Sequence, residues 1–251
     1  MSKVILYILN VVYALFGVLL LLEGIGFYIY VCMFTSLRNS NHYLLDFKLY
    51  WPQILPFVFG FSGLFVMFVC CCGCCSAAKK NQGFTIMHAL FTLMTIGTVI
   101  ASCVLALVYA DSDESHKFLK DALYDGFSEA KTNTGVSESF SSVESWLQCC
   151  GVDGSSDYKG SRKSLPNSCC GFDIESTQVC EYTSKTANER HGCAPVGVSY
   201  SSIALKALGA TAALSAFFGL LSLIASLSMG IRKRRPAVYE ATDIETKKGL
   251  L

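Results

Sequence analysis

Apolar positions fall along this chain in four long blocks separated by polar stretches of very unequal length. Val4 to Phe34 is interrupted only by Asn10 and Glu23; Pro52 to Cys72, Phe84 to Tyr109 and Ile203 to Ile231 follow. A helix crosses the hydrocarbon core with about 20 apolar residues, and each block meets that length. The first is much longer than the apolar core of a signal peptide and shows no small-residue cleavage site, which predicts a retained helix. Pro56 stands near the start of the second block, where a proline costs least. Lys206 stands near the outer end of the fourth, within snorkelling reach of the interface. The pattern predicts an all-α membrane protein with transmembrane helices at 4–34, 52–75 (ending in a cysteine cluster), 84–110 and 203–231. The rest divides into an N-terminal stub (1–3), a small loop (35–51), a very short loop (76–83), a large loop (111–202) and a tail (232–251).

Within the large loop the period changes. Leu119, Leu123 and Phe127 recur at i, i+4 and i+8 between Glu114 and Lys131, with Phe118 and Ala122 beside them, which predicts an amphipathic helix. Asp111, Asp113 and Glu114 suit the positive end of its dipole. A second, shorter helix is expected over Phe140 to Gln148, with Phe140, Val143 and Leu147 on one face and Ser141 and Glu144 as a capping box. From Gly151 to Ser164 the chain is rich in Gly, Ser and Asp and has no period. The large loop is thus expected to be mainly helical.

Composition agrees with lipid as the solvent. Of 251 residues 52% are hydrophobic and 16% charged, where soluble proteins carry about 25% charged residues. A net charge of +1 gives no basis for nucleic acid as a partner. Charge placement instead sets direction. Lys3, the Lys79–Lys80 pair and Arg232 to Arg235 all fall on one side of a four-span chain, as the positive-inside rule requires. The large loop holds fourteen acidic and eight basic residues, a net of −6. Both termini are therefore expected in the cytosol and the two larger loops outside.

The thirteen cysteines then divide by compartment. Cys149, Cys150, Cys169, Cys170, Cys180 and Cys193 lie in the outward loop, where an even number predicts disulfides whose pairing the sequence alone leaves open. A bridge closing several tens of residues contributes about 3–4 kcal/mol on the chain-entropy model. A domain with so few large apolar residues needs such staples. Free buried thiols are the bland alternative, and adjacent cysteines make a poor tetrahedral zinc site. Cys70, Cys71, Cys72, Cys74 and Cys75 stand at the cytosolic end of the second span beside basic residues. S-palmitoylation is expected there, against the plainer reading of reduced apolar filler. No second CxxC or histidine set completes a metal site. Cys32 and Cys103 read as ordinary apolar residues.

Several features together resemble a tetraspanin over essentially the whole chain. They are the four spans, the small and then large outer loop, "CCG" at Cys149, Cys150 and Gly151, and "PNSCC" at 166–170, where Pro166, Ser168 and Cys169 match a Pro-x-Ser-Cys element. "GCC" at Gly73–Cys75 and Asn10 seven residues before Gly17 add to the likeness. The resemblance implies the bridges Cys149–Cys193 and Cys150–Cys169, leaving Cys170–Cys180, with Gly151 turning the chain where two bridges diverge. It implies a non-enzymatic organiser of other integral membrane proteins, itself or other tetraspanins included. Binding would be lateral, through the large extracellular loop and the spans, in microdomains of the plasma membrane or endosomal vesicles. The chain departs from the family pattern in lacking Glu or Gln in its third and fourth spans and in placing Lys80 where an acidic residue usually follows GCC. Those departures count against a sterol held between the spans; other membrane lipids remain expected neighbours.

Small residues mark faces for close helix packing: Gly17 with Gly24, Gly209 with Ala213, and Ala212 with Ala216. Asn10 is expected to bond between helices. Glu23 is a functional suspect as an intramembrane acid, while the plainer reading sets it near the outer interface or bonded to a neighbouring span. Intramembrane polar residues read as scarce, which weighs against a small channel or transporter. A homophilic adhesion protein of the claudin type is the other alternative, but such proteins place the large loop between spans one and two. His42, His88, His116 and His191 are scattered, and no Ser/His/Asp set, metal-ligand array or phosphate loop appears. Neither an enzyme, a cofactor nor a metal is expected. The tail is expected to be disordered and near anionic lipid, with Leu250–Leu251 a sorting candidate one residue off the usual acidic spacing.

Overall fold

The computed structural model describes residues 3–37, 51–79, 82–173 and 176–248. Its helices are α1 (Lys3–Leu37), α2 (Trp51–Lys79), α3 (Gln82–Ala110), α4 (Asp113–Glu129), α5 (Thr134–Leu147), α6 (Asn167–Cys170), α7 (Lys185–Glu189) and α8 (Cys193–Lys248), with one 3-10 turn at Ser155–Tyr158. Four are long and apolar enough to cross a membrane, over Val4–Thr35, Ile54–Cys75, Gly83–Ala110 and Cys193–Ser228. Of the segments read from the sequence, most of the small loop (38–50), Lys80 and the Leu250–Leu251 pair lie outside the described residues.

Several expectations are corrected. α8 begins at Cys193, ten residues before Ile203, with Pro195 in its first turn where the missing N–H costs nothing. α5 begins at Thr134 rather than Phe140, because the Asn133 side chain accepts from the Gly135 and Val136 N–H groups and caps it. Ser141 therefore sits inside the helix and makes no capping box with Glu144. The tail, expected to be disordered, continues α8 to Lys248 in a stretch whose Ala, Glu and Lys residues favour helix.

Buried positions along the membrane helices alternate in steps of three and four. In α1 the line runs through Leu6, Asn10, Tyr13, Gly17, Leu20, Gly24, Phe27, Val31 and Phe34, with Tyr30 buried beside it; in α3 it runs through Thr85, His88, Thr92, Thr95, Val99, Ser102 and Ala106, with Ile96 beside it. This period of 3.5 keeps one seam of each helix facing its neighbours, as in left-handed helix packing. Other large apolar side chains point the other way: Phe61 is 69% exposed and Met94 62%.

Contacts divide the chain into two compact units. Met1–Gly24, Phe57–Val104 and Leu208–Leu251 make one unit, the membrane unit; Ile25–Pro56 and Leu105–Ala207 make a second, named the outer unit after the expected topology, that holds α4 to α7 and one end of each long helix. In the outer unit, Phe127 of α4 meets Phe140 of α5 at 5.4 Å and Tyr158 at 5.1 Å between ring centroids. Phe118, Leu119, Ala122, Leu123, Val143 and Leu147 complete its core. Ser112 caps α4 by accepting from the Ser115 N–H at 3.2 Å. Tyr30 of α1 donates its hydroxyl to the Gly197 carbonyl of α8 at 3.0 Å.

Candidate functional site

α5 stops one residue short of the first cysteine pair. Gln148 takes a left-handed conformation at φ 54°, and the Cys149 N–H returns to the Glu144 carbonyl at 3.1 Å. Gly151 follows at φ +66°, and a Cβ there would lie 2.2 Å from the Gly154 carbonyl oxygen. Backbone and space both require glycine. Beyond the turn the chain pairs with the approach to α8: Cys150 N–H donates to the His191 carbonyl at 3.1 Å, Cys193 N–H to Gly151 at 2.9 Å, and Ala194 N–H to Val152 at 3.0 Å. A side chain at Gly192 would strike the backbone of Val152 and Asp153. Three disulfides close the region: Cys149–Cys193, Cys150–Cys169 and Cys170–Cys180. The first joins the end of α5 to the start of α8 and the second reaches α6. The third lies beside a single bridge in which the Leu165 N–H donates to the Cys180 carbonyl at 2.9 Å.

Glu144 lies fully buried at the centre of this junction. Its Oε1 accepts from the Gly151 N–H at 2.7 Å and the Tyr158 hydroxyl at 2.8 Å; its Oε2 accepts from the Ser168 hydroxyl at 2.5 Å. The CCG turn, the 3-10 turn and the Pro-x-Ser-Cys helix thus converge on one carboxyl. Burial raises its pKa, opposed in part by those hydrogen bonds and by Arg162. The Tyr158 hydroxyl is pushed up by burial and by the neighbouring carboxyl. Asp157 plays a similar part at the surface, its Oδ2 accepting from the N–H groups of Val152, Asp153 and Gly154 at 2.8, 2.7 and 3.3 Å. Sequence reasoning gave Glu144 the wrong role and missed Asp157. The signal for Glu144 was its place between Val143 and Leu147 on an apolar face, where a charge is out of keeping. The Glu144 carboxyl and the sulfurs of Cys150 and Cys169 lie within 4.8 Å of one another. Both sulfurs are spent in a disulfide, so the trio offers no thiolate to a metal.

Between these anchors the chain from Asp153 to Glu189 leaves many side chains in the open. Lys159, Arg162, Lys163, Asp173, Thr177, Gln178 and Glu181 are exposed, and Val179 is 68% exposed. An open groove of about 900 Å³ is lined by Ser145 of α5, by Gln148 just past its end, and by Phe172, Asp173, Ser176 and Thr177.

In the membrane unit, Asn10 is fully buried. Its Nδ2 donates to the Leu6 carbonyl at 3.0 Å, while its Oδ1 accepts from the Ser222 hydroxyl at 3.1 Å and faces His88 Nε2 at 3.3 Å. The other His88 nitrogen lies 3.2 Å from the Ser226 hydroxyl. Gly73 of the GCC motif leaves room for this node, since a Cβ there would come within 2.6 Å of both His88 Nε2 and Asn10 Oδ1. Gly17 is pressed against α2: an added Cβ would lie 2.9 Å from Val66 Cγ1 and 3.0 Å from the Gly63 carbonyl oxygen. Gly24 and Gly209 are buried, and the Gly209 carbonyl accepts from the Cys103 thiol at 3.3 Å. Ala213, expected on the packing face, is exposed; the buried stripe of α8 runs through Gly209, Ala212, Ser215, Gly219 and Ser222 and bypasses it. Glu23 accepts from the Thr211 hydroxyl at 2.9 Å.

Polar side chains, read from the sequence as scarce within the spans, are instead gathered in the seam. Asn10, Ser62, Thr85, His88, Thr92, Thr95, Ser102, Ser215, Ser222 and Ser226 are all buried. In the cysteine cluster, Cys70 is buried, Cys71 and Cys75 are exposed, and Cys72 and Cys74 are intermediate.

The Tetraspanin family model matches residues 2–231. Similar proteins include the 23 kDa integral membrane protein of Schistosoma mansoni, 28% identical over 174 residues that cover 69% of this chain and 72% of that protein. Leukocyte surface antigen CD53 of Homo sapiens is 24% identical over 157 residues, covering 62% and 66% respectively. Tetraspanin-4 of Mus musculus is 28% identical over 115 residues, covering 43% and 47%. With the family match extending over nearly all of its length, this chain belongs to the tetraspanin family.

Proposed function

We propose that this chain gathers other integral membrane proteins laterally and assembles them into membrane microdomains. It grips them through the outward surface of the large loop and the apolar faces of the spans. The observation that carries this reading is how the outer unit spends its strong interactions. Three disulfides and the buried Glu144 hold a varied, exposed stretch away from the core, with Val179 and an open groove on offer to a partner. The seam supports the same reading over an ion path, because Asn10, His88 and Glu23 are tied to side chains on other helices. The charge pattern favours cytosolic termini and outward loops, with the plasma membrane or endosomal vesicles as the site of action.

Exposure singles out Cys71 and Cys75 as acyl acceptors and leaves Cys70 out. Acyl chains on a protein already inserted change its lateral neighbours more than its anchoring. Acyl-exchange mass tagging of single Cys→Ser variants should lose label at Cys71 or Cys75 and keep it at Cys70.

The organiser reading is tested by crosslinking in mild detergent followed by mass spectrometry, with the native chain and with 176–179 replaced by Gly-Ser repeats. Native protein should recover a reproducible set of membrane proteins that the loop variant loses. Recovery of lipid alone, or an unchanged set from the variant, would overturn it.

A further inference from the structure

We propose that Trp146 anchors the outer loop to the membrane surface, its exposed ring lying with Tyr200 among the lipid headgroups of the outer leaflet. Trp146 is the penultimate residue of α5, on the side away from the buried Glu144 and Leu147, and it is 50% exposed. Its ring is nonetheless held in place. It meets Tyr200 edge-on at 5.0 Å and Tyr30 at 5.8 Å between centroids, and Tyr30 and Tyr200 lie 5.5 Å apart. Tyr30 is buried and fixed by its bond to the Gly197 carbonyl.

Both tyrosines belong to helices that cross the membrane, so a loop side chain has joined the surface of two spans. That surface stays apolar and outward-facing nearby, at Ile29 of α1 and at Ile203 of α8, the latter 65% exposed. Lipid is the occupant that this continuity selects, since the spans' outer faces are solvated by lipid already.

The height of the rings fits. Asp111, just past the end of α3, accepts from Lys206 Nζ at 3.0 Å and from the Ser202 hydroxyl at 2.8 Å. These charges mark the outer limit of the hydrocarbon. Tyr200 stands two residues farther out along α8 than Ser202, about 3 Å at the helical rise, which falls within the roughly 5–8 Å that the headgroup region adds on each side. Trp and Tyr favour this zone because the apolar body of the ring leaves bulk water while the N–H or O–H stays hydrated. Trp146 lies between Glu144 and Cys149 in sequence. Anchoring it fixes the height of the CCG junction, and with it the surface offered to partners.

The chain has two tryptophans, Trp51 and Trp146. Full-length Trp51→Phe protein, reconstituted in phosphatidylcholine vesicles, reports on Trp146 alone. Acyl chains brominated near the headgroup should remove most of its emission, chains brominated near their ends should remove little, and aqueous iodide should remove little. Equal emission in brominated and plain vesicles, or stronger quenching by the deep bromines, overturns the proposal. In the first case, quenching by iodide assigns the ring to water, and protection from both quenchers assigns it to a protein contact. If Trp51→Phe does not fold, Trp146→Phe gives the same quantity by difference: shallow quenching must fall when Trp146 is removed, and an unchanged value sinks the idea.

Discussion

The two units of this protein differ in how much polar side chain their buried helix faces carry. The buried face of α4 is mainly Phe118, Leu119, Ala122, Leu123 and Phe127, whereas the buried face of α3 mixes Thr85, His88, Thr92, Thr95 and Ser102 with Ile96, Val99 and Ala106. In water, apolar burial contributes about 25 cal/mol per Å² and decides which face turns inward. In lipid that drive between helices is absent, so association rests on close approach and interhelical hydrogen bonds. Phe61 and Met94 therefore face outward, and Gly17, Gly73 and Asn10 face in. The units also differ in covalent support. The outer unit has a thin core and carries three bridges, while Cys70, Cys71, Cys72, Cys74, Cys75 and Cys103 of the membrane unit are free.

Breaking the staples should separate the units most strongly. The bridges close separations of 44, 19 and 10 residues, worth about 4, about 3 and about 2.7 kcal/mol on the chain-entropy model. The double variant Cys149→Ser, Cys193→Ser should therefore lose the most loop stability and open 153–189 to protease. Far-ultraviolet circular dichroism should show the spanning helices intact, and their collapse would mean that the two units do not stand apart.

Glu144→Leu comes next, at about 3 kcal/mol, because it leaves the Gly151 N–H and the Tyr158 and Ser168 hydroxyls unpaired in the interior. Glu144→Gln keeps an acceptor and should cost less. The carboxyl also imposes a pH slope. Its folded pKa is raised, so its contribution is fully present below the unfolded value of about 4.3 and is lost as pH rises through the folded value. From this group alone, the loop gains stability as pH falls through the folded value towards the unfolded one. Thermal melts across that range should show the Gln variant losing this part of the slope, and identical slopes in the two proteins would contradict it.

Ser222→Ala tests the seam more gently. It removes one donor to Asn10, which retains His88 nearby. Interhelical hydrogen bonds in membranes average about 0.6 kcal/mol, and unfolding in mixed micelles should show a loss of that order. The smallest effect belongs to Lys206→Gln. Its partner Asp111 is held below the usual carboxylate range by hydrogen bonds from Lys206 and Ser202, but the pair is exposed and screened. Melting should be unchanged.

Reading the sequence succeeded where one physical rule acted over a contiguous stretch. Phe118, Leu119, Leu123 and Phe127 announced α4 because periodic burial needs no knowledge of the partner. α5 was truncated because "TGVSES" holds a single apolar side chain, Val136, before Phe140, and the cap at Asn133 depends on a backbone turn rather than on hydrophobicity. Glu144 was misread because a carboxyl near serines in a short helix looks like a capping residue until the turn at Gly151 brings an N–H to it. The seam was missed for a related reason. Each serine or threonine is unremarkable among apolar neighbours, and only their spacing of three and four places them on one line.

By itself the sequence determined how many segments are long and apolar enough to span and which cysteines share the large loop, because both follow from counting along the chain. The tertiary structure alone decided that Glu144 turns inward, that Asn10 meets Ser222 and His88, and that Trp146 reaches Tyr30 and Tyr200. These are meetings of groups far apart in sequence, fixed by packing and backbone turns rather than by any local preference.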